Sequence, residues 1–392
     1  MGWESHRTNF RTHLIGLIAY LTLGDKCSGI FSGQVVDVCN LLSEQSGEKV
    51  KLISFVSLRE YRKEKIKIKD VYQNSIVLPM FPKLKNWRYN IILLFLFTRS
   101  KKYNTIICRN SIPANLGLIL KKKSMVKRVI LDGRGAEYEQ YVEYDMLSDK
   151  ELEKKLRQLE SIAVNDVDFR IAVSEKLVNY WNYAFNYLGK EHIVIPCTLN
   201  RNHEKRPLNM FSRASVGFEN NDIILVYCGT VSGWQSFGKM FRFMKSQLIQ
   251  NQHIKVLLLT KETDEVKSLI KEFPDRVICK WCSDNDVIPM MSLGDYGLVI
   301  RGNTITNEVA SPVKFAEYLY AGLKVIISEK IGDYNLFVKE NKCGIVDTEI
   351  KESLNKLDEQ DKSIERKLAK ENFSKNENII KSKYETLLKK CN

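Results

Sequence analysis

Short apolar runs and longer segments of helical spacing alternate along almost the whole chain. Six runs precede residue 200, and six follow residue 220. Strands that alternate with helices usually pair in parallel, because a parallel pair needs a long crossover connection. The pattern therefore predicts an α/β protein with two Rossmann-like domains. The predicted strands span residues 14–21, 50–56, 105–108, 129–131, 169–173 and 193–195, then 223–227, 254–259, 277–281, 296–300, 325–327 and 344–346.

The segment between the two sets marks the predicted domain boundary. Residues 198–221 are mostly polar and carry Pro207 and Gly217, which is typical of a linker. The lysine-rich end of the chain has helical spacing. The predicted units are a first domain, a linker, a second domain and a terminal helix, over residues 1–200, 201–220, 221–365 and 366–392.

A short helix near the end of the second domain has unusual chemistry at its start. Ser311 is predicted to cap it, and Pro312 fits its first turn, where no backbone donor is lost. Gly322 fits the position just past its end. The free amides and the helix dipole favour a phosphate, Lys314 adds a positive charge, and Glu317 can accept hydrogen bonds from sugar hydroxyls. This combination suits a nucleotide diphosphate, and an ordinary capped helix is the alternative.

Residues 311–326 follow the spacing Ser-Pro-x-Lys-x-x-Glu-Tyr-x-x-x-Gly-x-x-Val-Ile. This string resembles the donor-site motif of GT-B glycosyltransferases, especially glycosyltransferase family 4 and its capsular and surface-polysaccharide relatives. The resemblance implies two Rossmann-like domains that face each other across a cleft. It implies that the first binds the acceptor and the second the nucleotide sugar, with Glu317 on the ribose, and that the terminal helix crosses back to the first domain. Many members carry a second glutamate where this chain has Val309, with Asn307 nearby as a further donor-side candidate.

A glycine-rich turn follows the first predicted strand of the second domain. Its backbone can approach a phosphate closely at Gly229 and Thr230, and it resembles the donor loop of the same family. Family members often carry a basic residue shortly after this loop, and Lys239 is the nearest one here. Arg301 is better placed, at the end of a predicted strand, although a surface arginine is the alternative. Arg301 and Lys314 are therefore the predicted catalytic cations.

Three loops of the first domain follow predicted strands. They are expected to face the cleft, because ligands bind at the carboxyl ends of parallel strands. One resembles the N-terminal glycine loop of the family, and another resembles an Asp-x-Arg-Gly string found there, which makes Asp132 a predicted catalytic residue. For the glycines, turns that only reverse the chain are the alternative. The predicted acceptor-side residues are Ser28, Gly29, Arg109, Asn110 and Arg134.

The sequence contains no convincing metal motif. Its five histidines lack metal-ligand spacing, and Cys279-Lys-Trp-Cys282 has no second pair. Asp284 and Asp286 follow a predicted strand, and helix capping explains them more simply than metal binding. The nine cysteines are scattered and odd in number, which predicts free thiols in a reducing compartment. We expect no metal and no cofactor apart from the nucleotide sugar as co-substrate.

Positive charge is concentrated in the first third of the chain. Residues 1–128 hold 23 Lys and Arg against 8 Asp and Glu, a net of +15, whereas the whole chain carries +14. Aromatic and basic residues alternate over residues 81–89, an apolar run covers 91–97, and Lys101 and Lys102 add charge. This pattern predicts contact with an anionic membrane surface. A solvated basic face is the alternative, and no motif indicates nucleic acid.

No apolar run reaches the roughly 20 residues that a spanning helix needs, so we predict a cytoplasmic protein, peripheral at the inner face of the cell membrane. The resemblance implies a hexosyltransferase of retaining type. It would move a sugar from a nucleotide diphosphate sugar to a lipid-linked glycan, in the synthesis of capsule, lipopolysaccharide or another surface polysaccharide. Two alternatives stay open: a non-catalytic basic α/β protein that binds membrane or nucleic acid, and a GT-B nucleotide-sugar epimerase.

Overall fold

A computed structural model describes residues 17–99, 103–146, 150–230, 236–350 and 353–391. Within these ranges the chain forms two parallel sheets, of seven and six strands, in the orders β3-β2-β1-β4-β5-β6-β7 and β10-β9-β8-β11-β12-β13. The strands are β1 (Ile18–Leu23), β2 (Lys51–Ser57), β3 (Ser75–Met80), β4 (Tyr103–Arg109), β5 (Val126–Gly133), β6 (Phe169–Ala172), β7 (His192–Val194), β8 (Ile223–Cys228), β9 (Ile254–Leu259), β10 (Val277–Cys279), β11 (Tyr296–Val299), β12 (Lys324–Ile327) and β13 (Gly344–Val346).

Helices connect the strands, as parallel pairing requires. In the first domain they are α1 (Gly29–Phe31), α2 (Asp37–Ser46), α3 (Tyr61–Val71), α4 (Asn90–Thr98), α5 (Ser111–Lys122), α6 (Glu137–Glu143), α7 (Lys150–Asp166) and α8 (Glu175–Phe185), followed by α9 (Arg201–Glu204) in the linker. The remaining helices are α10 (Phe237–Gln250), α11 (Asp264–Glu272), α12 (Val287–Met291), α13 (Ile305–Glu308), α14 (Val313–Ala321), α15 (Tyr334–Asn341), α16 (Glu359–Phe373) and α17 (Asn378–Lys390).

The two parallel sheets confirm the predicted α/β architecture, and all twelve predicted runs contain a strand. Residues 14–16 of the first run lie outside the described residues. The sequence pattern misses β3, because Pro79 argues against a central strand. The structure places β3 at the edge of the first sheet, where the missing proline N–H is tolerated.

The end of the chain joins both domains. Helix α16 packs against α14 of the second domain, and α17 packs against α2 of the first. Four side chains of α17 are buried in an apolar cluster of the first domain: Ile380, Tyr384, Leu387 and Leu388. The carbonyl of Cys391 accepts hydrogen bonds from the side chains of Asn104 and Thr105 of β4. The tail therefore crosses from the second domain back to the first.

Carboxylates from each domain bind helix starts in the other. The Glu143 carboxylate, at the end of α6, accepts hydrogen bonds from the backbone amides of Ile305 and Thr306 at 2.6 and 3.0 Å. In return, Asp333 accepts from the amides of Glu175 and Lys176, at the start of α8, at 2.8 and 3.2 Å. Each pair satisfies amides that a helix start leaves without partners. These reciprocal contacts hold the domains together across the cleft.

Candidate active site

The start of α14 lies one residue later than predicted. Pro312, not Ser311, is the capping residue, and Pro312 makes no side-chain capping hydrogen bond. The Ser311 hydroxyl instead accepts a hydrogen bond from the Cys197 amide and bonds the Tyr334 hydroxyl, both at 2.8 Å. The capping role of Ser311 was wrong because its hydroxyl is taken up by the contact between the domains. None of the described residues accepts a hydrogen bond from the amides of Val313 and Lys314, so the helix start retains free donors.

The predicted lysine and glutamate of α14 form a close ion pair. Lys314 Nζ lies 2.6 Å from Glu317 Oε2, and the Glu317 side chain is only 5% exposed. Burial alone would raise the pKa of Glu317, but the positive charges of Lys314 and His203 outweigh it and lower the pKa to about 2. Glu317 is therefore a permanent carboxylate, which accepts hydrogen bonds and cannot donate them.

His203 and Asp284 join this pair, and sequence analysis missed them as site residues. His203 Nδ1 lies 3.4 Å from Glu317 Oε1, and its Nε2 lies 3.4 Å from Asp284 Oδ2. The helix-capping explanation of the aspartates was also wrong, because Asp286 stands before α12 without a side-chain capping bond. Its carboxylate accepts from Ser283 instead. No local pattern marks His203, since it lies in the linker and meets α14 only through the fold.

The glycine loop after β8 is placed by an aromatic ring of α14. The Tyr318 hydroxyl accepts a hydrogen bond from the Cys228 amide at 2.9 Å. Gly229 follows with a φ of +155°, and the Thr230 carbonyl accepts from the Tyr227 hydroxyl. Residues 231–235, the rest of the predicted loop, lie outside the described residues. Cys228, the residue before the loop, is therefore hydrogen-bonded to α14, and its thiol lies near Lys314.

Arg301 lies just beyond the end of β11 and is held by a residue of α13. Its guanidinium donates a hydrogen bond to Asn307 Oδ1 at 3.4 Å. The side-chain Nδ2 of Asn307 donates to the Gly302 carbonyl and to the Tyr144 hydroxyl. Burial lowers the pKa of Arg301, which still leaves a cation at neutral pH. Asn307 is itself fully buried, and its hydrogen bond orients the Arg301 side chain. Lys239 Nζ donates a hydrogen bond to the carbonyl of Arg301 and forms an ion pair with Asp347.

Val309 stands where the resemblance expects a second glutamate, and its surroundings are apolar. The side chain is 2% exposed and belongs to the main apolar cluster of the first domain. Its carbonyl accepts a hydrogen bond from the Ser174 hydroxyl at 2.7 Å. A carboxylate in this place would be desolvated among apolar side chains, at a high free-energy cost. The second glutamate is therefore replaced here by an apolar contact between the domains.

Three predicted residues of the first domain form one buried ion network at the carboxyl ends of β4 and β5. Asp132 lies 3.7 Å from Arg109 and 3.4 Å from Arg134, and it accepts a hydrogen bond from the Tyr20 hydroxyl. Arg109 also pairs with Asp25 at 3.4 Å. The Asp132 side chain is 5% exposed, so its charge is neutralised by these neighbours. The structure brings these residues together beneath the cleft as a mutually paired group.

The remaining acceptor-side candidates have different places. Ser28 caps α1 through a hydrogen bond from the Phe31 amide. Asn110 has a φ of +74° and turns the chain between β4 and α5. Gly29 reaches the second domain, because a Cβ atom there would lie 2.3 Å from Asp284 Oδ1. A larger residue here would have to displace the Asp284 side chain, which is 58% exposed.

Comparison with known proteins finds similarity over part of the sequence and in the fold. Residues 240–386 match the family model described as glucosyltransferase 3-like, C-terminal domain. No curated protein sequence matches this chain significantly. HepE from Anabaena, solved with UDP, has a TM-score of 0.64 at 14% identity, over 95% of this chain and 99% of that chain.

Two further solved structures are similar over nearly their whole length. Sucrose-phosphate synthase from Thermosynechococcus elongatus has a TM-score of 0.64 at 13% identity, covering 95% of this chain and 98% of that one. The lipopolysaccharide outer core galactosyltransferase WaaB reaches 0.65 at 12% identity, covering 94% and 98%. The chain has the GT-B fold of glycosyltransferases. The narrower relation to family 4 stays a prediction.

Within the described part of this GT-B chain, no group of three or more histidine, cysteine or acidic side chains is arranged to hold a metal ion. All nine cysteines are free thiols, as predicted, and Cys279 and Cys282 are each half-buried. The described groups of the candidate site are backbone amides, cations and carboxylates. Such groups bind a diphosphate and hydroxyls directly.

Proposed function

We propose that the protein transfers a hexosyl group from a nucleotide diphosphate sugar to a glycan acceptor. The observation that carries the proposal is the start of α14. There, two free amides and Lys314 offer positive potential to a diphosphate, and Glu317 offers a permanent carboxylate to ribose hydroxyls. The GT-B fold and the match of residues 240–386 to a glucosyltransferase 3-like domain support the same reaction class.

The proposed chemistry is dissociative. The bond between the anomeric carbon and the diphosphate oxygen breaks through an oxocarbenium-like transition state, as in glycoside chemistry. The acceptor hydroxyl oxygen forms the new bond, and its proton passes to the departing diphosphate. Lys314, Arg301 and the amides near Gly229 stabilise the charge that develops on the leaving group, without a metal ion. We propose a retaining course, as in family 4.

For the acceptor we propose a lipid-linked glycan of surface polysaccharide synthesis, at the inner face of the cell membrane. The first domain supports this with an exposed apolar helix, α4, in a strongly basic third of the chain. No helix in the described part of the chain has the length and hydrophobicity needed to cross a bilayer. Contact with the membrane is therefore proposed at the surface of the first domain, and no nucleic-acid partner is proposed.

The first test is binding of UDP, GDP, TDP, ADP and CMP, followed by thermal unfolding. A ligand at about 100 times its dissociation constant stabilises the folded protein by about 2.7 kcal/mol, which is a readily measured shift. We expect one nucleoside diphosphate to raise the unfolding temperature of the wild type and to lose this effect in Glu317→Ala. Glu340→Ala, an exposed glutamate of α15, is the matched control and should behave as the wild type.

Transfer is then measured with the sugar form of the nucleotide that binds. Loss of transfer in Lys314→Ala and Glu317→Ala, with Glu340→Ala active, would support the assignment. Full activity of the first two variants would rule it out. Conversion of the donor sugar without any acceptor would instead identify an epimerase. Failure of every nucleotide to bind would favour a non-catalytic basic protein.

A further inference from the structure

The linker helix α9 is fixed to both domains. The Arg201 amide donates to Asp37 at 2.8 Å, and its guanidinium forms two bonds with the Glu44 carboxylate, at 2.7 and 2.9 Å. From the second domain, the Tyr320 hydroxyl donates to the carbonyl of the last residue of α9 at 3.1 Å. These contacts hold His203 in a buried position, with only 4% of its side chain exposed. The ring therefore has little freedom to turn away from its neighbours.

Both ring nitrogens of His203 face carboxylates. Glu317 lies 3.4 Å from Nδ1, and Asp284 lies 3.4 Å from Nε2. Neutral imidazole can donate from only one nitrogen, whereas imidazolium donates from both. Two acceptor-only neighbours therefore favour the charged ring.

Charge in the cluster is balanced only when His203 is protonated. Lys314 and His203 then offset Glu317 and Asp284. The other charged groups near the ring lie on separate elements and already have partners: Asp37 of α2 pairs with Lys375 at 3.8 Å and accepts from the amide of Arg201. Burial alone would lower the pKa of His203, but Asp284 and Glu317 raise it to about 9.

We propose that His203 is a positioning residue of the donor site. As an imidazolium it holds the Glu317 carboxylate towards the nucleotide, and through Asp284 it connects that carboxylate to the Gly29 loop of the first domain. This inference rests on the proposed function, because it assumes that Glu317 binds the nucleotide. It adds that the linker carries part of the donor site and that donor affinity depends on the proton of His203.

The test combines nuclear magnetic resonance with nucleotide affinity. In protein labelled at the histidine rings, the His203 signal is assigned with His203→Gln and followed with pH. Because its raised pKa favours the charged form, the charge is present at neutral pH and lost as the pH rises through about 9. Asp284→Asn removes one carboxylate and should move the midpoint to lower pH. Exposed His253 is the internal reference.

Affinity is measured for whichever of UDP, GDP, TDP and ADP gives the largest thermal shift. At neutral pH we expect His203→Gln to bind about tenfold more weakly than the wild type, the scale of one lost interaction with a charged group, and His253→Gln to bind normally. The ratio of wild-type to His203→Gln affinity should approach one above the His203 pKa. Ionisation of the nucleotide base at high pH affects binding to both proteins equally, so it cancels in this ratio.

The outcomes separate the two proposals. Normal nucleotide binding by His203→Gln, while Glu317→Ala does not bind, would overturn the role of His203 and leave the donor site intact. An ordinary histidine midpoint for His203, unchanged in Asp284→Asn, would overturn the charged bridge even if His203→Gln were poorly folded. Absence of nucleotide binding by the wild type would overturn the donor site and this inference together.

Discussion

Gly297 shapes the proposed donor site, because it leaves space for the ring of Tyr318. It lies in β11 beneath the Tyr318 ring, and a Cβ atom there would lie 2.2 Å from Tyr318 Cγ. The ring can lie flat on the strand only because this space is empty. From that position its hydroxyl receives the hydrogen bond of the Cys228 amide and fixes the start of the glycine loop.

We expect Gly297→Ala to destabilise the protein by about 1–3 kcal/mol, the usual cost of overpacking a core, and to weaken nucleotide binding. Gly238→Ala is the control, since a Cβ atom there meets its nearest neighbour at 3.8 Å. Because alanine favours helices, this control should be neutral or slightly stabilising. Thermal unfolding with and without nucleotide measures both effects. Equal stability of Gly297→Ala and the wild type would mean that the ring does not depend on this space.

At the scale of elements, α4 and the turn before it present an unusual surface. Leu94 faces the core, whereas Ile92 and Leu96 are 53% and 65% exposed. Tyr89 is also exposed, and the exposed Arg88 lies beside it. Lys101 and Lys102 of the predicted basic cluster lie outside the described residues. Apolar side chains flanked by cations suit the interface of an anionic bilayer.

The double variant Ile92→Ser/Leu96→Ser should lose most of its binding to vesicles of phosphatidylcholine and phosphatidylglycerol. Burying one such side chain contributes about 1.5 kcal/mol or more, so each loss should weaken binding about tenfold. Ile249→Ser, which is 66% exposed on α10, is the control and should sediment with vesicles as the wild type does. Added salt should weaken wild-type binding, because it screens the basic charges. Failure of the wild-type protein to bind anionic vesicles would contradict this prediction.

For the whole molecule, the relation of the two domains depends on the reciprocal contacts of Glu143 and Asp333. The first of these contacts also reaches the site. Glu143 binds the start of α13, and Tyr144 beside it contacts Asn307, which orients Arg301. Closure of the cleft and the position of a predicted catalytic cation are therefore linked.

The double variant Glu143→Gln/Asp333→Asn should open the cleft more often. Each carboxylate at a helix start contributes about 1 kcal/mol, so removal of both charges should raise the open population at least severalfold. Small-angle X-ray scattering should show a larger radius of gyration for the variant than for the wild type, with Glu340→Gln unchanged. Identical scattering curves would show that apolar contacts, such as that of Val309, hold the domains without help.

Local sequence determined most of the strands and the pairing of side chains within one helix. Period and composition are short-range properties, so twelve of the strands and the α/β class followed from the order of residues. Lys314 and Glu317 are three residues apart, and helical geometry alone puts them on one face. Gly322 ends α14 with a φ of +90°, as a residue without a side chain can do freely.

Only the tertiary structure decided which distant groups meet. Ser311 has the composition of a helix cap, but its hydroxyl is taken by a residue 114 positions away in sequence. His203 of the linker meets Glu317 and Asp284, and Gly29 lies against an aspartate of the other domain. Hydrogen bonds and ion pairs act over a few ångströms of space, whatever the separation along the chain. The sequence therefore determined the Lys314 and Glu317 pair of α14, and the packing of the two domains determined which residues surround it.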